Sequence, residues 1–129
     1  MPPADLRTTR VPRASFVTYQ LEIELAHPLR GLRIGALGTF DLPAGRYVYT
    51  GSARRNLEAR IARHLRKKKA LRWHIDYLLA APGVEVVAVR RSRRAECEWT
   101  RSTPGTVVIR GFGASDCRAG CGAHLKRRV

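Results

Sequence analysis

The chain has 129 residues and a formal net charge of +15, with 25 Lys and Arg against 10 Asp and Glu. That length suits one domain with a modest hydrophobic core. The charge points to a polyanionic partner, nucleic acid first and a membrane surface a distant second. No stretch reaches transmembrane length and no signal peptide is visible, so its 3 cysteines are expected as reduced thiols or metal ligands in a cytoplasmic protein.

Residues 1–13 carry prolines at 2, 3 and 12 among arginines and read as a flexible basic arm. Residues 14–129 read as a single domain without repeats or linkers. Ser15 to Leu25 is expected as a strand: Leu21, Ile23 and Leu25 alternate with Gln20, Glu22 and Glu24, the pattern of a sheet with one wet face. Leu32 to Phe40 alternates again as a short strand or strand pair, and Pro43 and Gly45 mark a turn. The spacing of Leu71, Ile75, Leu78 and Leu79 predicts a helix from about Ala70 to Ala81, stopped by Pro82-Gly83. Val84 to Val89, branched on both faces, is expected as a central strand. A short helix near Ala95 carries Glu96, Cys97, Glu98 and Trp99. Thr106 to Arg110 is a last short strand, followed by a glycine-rich loop from Gly111 to Gly122.

Gly45 to Lys68 organises the rest. Tyr47-Val48-Tyr49-Thr50 favours a strand, whose period of two puts both tyrosines on one face. Gly51-Ser52 ends it and Asn56 is placed to cap a helix. Leu57, Ile61, His64 and Leu65 follow the spacing of a buried helical stripe, with Arg60, His64 and Lys67 along one edge. A histidine on such a stripe is ordinarily a core residue. Beside Arg60 it is equally placed to donate to a phosphate or relay a proton. Cations cluster here, at Arg54, Arg55, Arg60, Arg63, Arg66, Lys67, Lys68, Lys69 and Arg72, with further clusters at Arg90–Arg94 and Lys126–Arg128.

Tyr49-Thr50-Gly51 and Leu57-x-x-Arg60-Ile61-x-x-His64 resemble the second signature half and the arginine-bearing helix of the GIY-YIG nuclease family. With the blocks Arg72-Trp-His-Ile-Asp-Tyr-Leu and Gly111-Phe-Gly-Ala-Ser-Asp-Cys117, the chain resembles the small Uri-type branch from roughly Ser15 to Leu125. The resemblance implies a small α/β domain, a mostly antiparallel three- to five-stranded sheet flanked by helices. It also implies a metal-dependent endonuclease cutting phosphodiester bonds in DNA with Mg2+ or Mn2+. The positions that would carry the first signature half, around Ala14, Ser15 and Phe16, hold no tyrosine. Tyr47 is the leading substitute and Tyr19 the second. In this reading Tyr49 or Tyr47 orients water and Arg60, with His64, stabilises the phosphate. Glu98 holds the cation, with Glu96 as its substitute. Arg54, Arg55, Arg63, Lys67, Lys68 and His74 contact nucleic acid, while Asp76 makes a helix–loop hydrogen bond. The rival is a module that binds nucleic acid on a nuclease-like fold without cutting it.

Cys117-x3-Cys121-x2-His124, completed by Cys97, has the residue types of a zinc site at loose spacing; ordinary thiols near a tight loop are the alternative. The loop Gly111 to Asp116 is placed to cradle a phosphate through backbone N–H groups or to close over the site.

Overall fold

The computed structural model describes residues 16–53, 55–113 and 123–128. Its strands are β1 (Thr18–Leu25), β2 (Leu29–Ile34), β3 (Gly38–Leu42), β4 (Gly45–Ser52), β5 (Val84–Ser92) and β6 (Leu125–Arg127); its helices are α1 (Leu57–Leu65), α2 (His74–Leu79) and α3 (Glu96–Ser102). The order β5-β1-β4-β6 makes a four-stranded sheet, and β2 and β3 form a separate hairpin. Every pairing is antiparallel. The fold is thus α+β, a small antiparallel sheet flanked by helices. None of the described helices is long and apolar enough to cross a membrane.

One sheet face carries the core. Alternation on β1 sends Tyr19, Leu21, Ile23 and Leu25 inward, and the register sets Leu21 beside Tyr49 and Ile23 beside Tyr47. Ile61 from α1, Ile75 and Leu78 from α2 and Leu125 from β6 complete the cluster. Each such buried aliphatic side chain contributes about 1.5–3 kcal/mol relative to exposure.

Several expectations change. The other face of β1 is not wet: Gln20 and Glu22 are buried. The Gln20 amide donates to Thr50 (3.1 Å) and to Thr103 (2.7 Å) just beyond α3. Glu22 lies among Arg46, Arg90 and Arg128. Both groups are buried because they are paired, as burial of polar groups demands. The strand from Val84 runs on to Ser92 and takes the sheet edge, with Val87 43% exposed, because β1 occupies the centre. The second helix begins at His74, not Ala70, and Leu71 is exposed. The Asp76 carboxylate accepts the N–H groups of Arg72 and Trp73, both at 2.9 Å, and fixes the helix start there. Asn56 precedes α1 in the left-handed region (φ 54) and makes no side-chain cap bond. Of the strand expected at Thr106 to Arg110, only an isolated bridge from Thr106 to Arg127 forms.

Candidate active site

The end of β4 and one face of α1 bring the chemistry together. Tyr19 on β1 stands opposite Gly51 on β4. Its hydroxyl shares a 2.6 Å hydrogen bond with His64 Nε2 on α1. The Tyr49 ring lies 6.3 Å from the Tyr19 ring and 6.2 Å from His64, centroid to centroid. Arg60, one turn before His64, donates from Nη1 to the Ser52 carbonyl at 2.8 Å. Ser52 in turn donates its hydroxyl to Glu96 Oε1 at 2.6 Å. The strand end, the helix and α3 thereby converge on one place.

Two glutamates stood on α3, and the helix separates them. Residues two apart on an α-helix point about 200° apart. Glu96 faces Ser52 and pairs with His124 Nδ1, whereas Glu98 is exposed and lies 3.8 Å from Arg94, which precedes the helix. The acid beside Tyr49 and Arg60 is therefore Glu96, the expected substitute, and not Glu98. Burial pushes the Glu96 pKa up, but the bonds from His124 and Ser52 and the charge of Arg60 outweigh it, so the carboxyl sits below its usual range and is ionised.

The two tyrosines of β4 share a face but not a neighbourhood. The Tyr47 hydroxyl donates to the Pro43 carbonyl at 2.7 Å, at the opposite end of the strand, with Arg127 nearby. Its ring is core, and Tyr19 takes the place beside Tyr49. The signal was in the alternation: Tyr19 precedes Leu21, Ile23 and Leu25 on the apolar face. Burial is the main cause that raises the pKa of both Tyr19 and Tyr49; Arg60 opposes it without cancelling it. Both phenols remain protonated at neutral pH and are able to donate. Burial also lowers the His64 pKa to about 4, against the opposing pull of Asp76, and the ring is neutral at pH 7.

Other expected contact residues divide. Arg63 is not free to meet nucleic acid. It donates to both oxygens of buried Asp76, at 2.8 and 3.0 Å, and to the Ala70 carbonyl at 2.8 Å. His74 accepts the Gly113 N–H on Nδ1 at 2.9 Å, and the segment Gly111–Gly113 packs Phe112 edge-on against the Tyr49 ring. Lys69 caps α1 by donating to the His64 carbonyl at 2.6 Å. Arg55, Arg66, Lys67, Lys68 and Arg72 are exposed, although the Lys67 ammonium also donates to the Val84 carbonyl. Arg54 lies outside the described residues, as do Cys117 and Cys121.

Of the four expected zinc ligands, Cys97 and His124 are described and Cys117 and Cys121 are not. Cys97 Sγ lies 3.5 Å from His124 Nε2, while Glu96 engages Nδ1. Among the described residues, no group of three or more His, Cys, Asp or Glu is placed to hold a metal.

Comparison with curated proteins and with solved structures gave no match. A family model described as "Domain of unknown function DUF123" matches residues 18–129, which include every described member of the site. The chain belongs to that DUF123 domain family.

Proposed function

We propose that this chain is an endonuclease hydrolysing phosphodiester bonds in nucleic acid, DNA being the foremost substrate, with Mg2+ or Mn2+ as its cation. One observation carries the reading: Tyr19, Tyr49, Arg60, His64 and Glu96 converge at the end of β4 from separate elements. These are the types that phosphoryl chemistry uses, a permanent cation for the phosphate, hydroxyls to orient water and one ionised carboxylate.

Arg60 is the phosphate contact. Its planar fork stays charged, and with Nη1 committed to Ser52 the remaining donors serve an anion. Tyr49 and Tyr19 orient the attacking water through protonated hydroxyls. His64, neutral and bonded to Tyr19, fixes that phenol and gives it a relay partner. Glu96 would hold the cation. A lone carboxylate suits Mg2+, which is commonly bound through one or two carboxylates, substrate phosphate oxygens and water. When bound, such a cation lowers the cost of charge on the leaving oxygen. The exposed Arg66, Lys67, Lys68 and Arg72 follow the catalytic helix and supply the polyanion track.

The second reading, a binding module without cleavage, draws on one specific feature: both Glu96 oxygens are engaged, by Ser52 and by His124. Incubation of pure protein with labelled single-stranded, duplex and branched DNA, with and without Mg2+ or Mn2+, separates the two. Cation-dependent cleavage supports the nuclease; binding without cleavage on all three forms supports the module.

A further inference from the structure

Trp73 does more than begin α2. Its ring is half-buried and lies 5.8 Å from His64. The guanidinium carbons of Arg60 and Arg63 stand 4.6 and 4.4 Å from its centroid, both in the range of cation–π stacking. Beneath this pair the contacts are rigid. Arg63 is fixed by its two bonds to Asp76, and Asp76, fully buried, also accepts the Trp73 backbone N–H at 2.9 Å.

We propose that Trp73 is a positioning residue for Arg60, held in place by the Arg63–Asp76 pair. The proposal rests on the nuclease reading for its catalytic consequence, and its geometry stands apart from that reading. A long arginine side chain has many rotamers, and only some aim its free donors at a phosphate. Here one nitrogen is tied to Ser52 and the ring face restricts the rest. Asp76 neutralises Arg63, so the two guanidiniums that share one ring do not repel as an uncompensated pair. The net positive charge over Trp73 is that of Arg60, and it faces the site. Arg63, which sequence alone assigns to nucleic acid, instead supports the stack.

The test uses variants of the full chain. Trp73→Leu should lower kcat about 10- to 100-fold, the scale of a misplaced catalytic group, with KM changed by less than about threefold. Trp73→Phe, which keeps an aromatic face, should recover most of the loss. In an Arg60→Ala background Trp73→Leu should cost little more, because both changes remove one interaction. Wild-type kcat in Trp73→Leu, or losses that simply multiply, would overturn the proposal.

A second readout is independent of cleavage. The chain has 2 tryptophans, so Trp99→Phe leaves Trp73 as the sole tryptophan, excited at wavelengths too long for tyrosine to absorb. Adding a short DNA duplex should change its emission, and Arg60→Ala should abolish that change. Bound duplex with unchanged emission, or a change that survives Arg60→Ala, would contradict the positioning role. If the wild type cuts nothing yet the emission change depends on Arg60, the nuclease reading fails and the positioning role stands.

Discussion

A Cβ placed on Gly51 would lie 2.5 Å from the Tyr19 hydroxyl and 2.6 Å from the ring carbon that bears it. The glycine that closes Tyr49-Thr50-Gly51 is therefore a seat for a phenol on the neighbouring strand. That phenol cannot step aside, because it is buried and bonded to His64. Gly51→Ala should lower stability by about 1–3 kcal/mol, the usual cost of overpacking a tight core. Urea unfolding measures it; an unchanged midpoint would mean the two strands do not approach this closely.

The tyrosines should separate cleanly. Tyr47→Phe removes a hydroxyl that donates to the Pro43 carbonyl and meets Arg127, at the far end of β4. It should cost about 1 kcal/mol of stability and leave cleavage near wild type. Tyr19→Phe strips His64 Nε2 of its partner and should reduce the cleavage rate severalfold or more. Equal rates for these two variants would remove Tyr19 from the site.

Stability should fall in mild acid. The His64 pKa is held at about 4 in the folded chain against an ordinary value of 6.5. The unfolded chain therefore binds a proton that the folded one refuses. This contribution is fully present above pH 6.5, is lost as pH falls toward about 4, and changes no further below that. Its full size is about 3 kcal/mol. His74, lowered by burial, adds in the same direction. Thermal melts across this window should flatten in His64→Gln; an equally steep wild-type-like fall would assign the effect elsewhere.

Nucleic-acid affinity should fall steeply with salt, because each neutralised phosphate releases counterion. Arg66→Glu with Lys68→Glu reverses exposed charges without touching the Lys69 cap of α1. The double variant should bind every sequence more weakly and show a shallower salt slope. A flat salt dependence in the wild type would exclude a phosphate track.

Much of the fold was legible because period-two and helical patterns are local. The β1 alternation, the strand through Tyr47–Thr50 and the Leu57, Ile61 and His64 part of the α1 stripe appear where their residues predict, while Leu65, expected on that stripe, is 50% exposed. What was hidden depended on distant partners. The wet face of β1 became buried because Thr103 and three arginines from elsewhere reach Gln20 and Glu22. The Ala70 start failed because the Asp76 side chain captured the backbone of Arg72 and Trp73. The choice between Glu96 and Glu98 turned on helix phase, which a stretch of seven residues barely records. Arg63 looked like a surface cation because its partner Asp76 lies 13 positions away.

Cleavage by the wild type, Glu96→Ala and Glu98→Ala, measured side by side with duplex affinity in Mg2+, tests the site most directly. Glu96 lies beside Ser52 and His124 at the end of β4, and Glu98 faces solvent near Arg94. Removing Glu96 should lower the rate by about 100-fold or more, with affinity held or slightly tightened, because its role falls in the transition state. Glu98→Ala should cut at nearly the wild-type rate. Loss of cleavage in Glu98→Ala with full activity in Glu96→Ala would contradict the site as assembled around β4, α1 and α3.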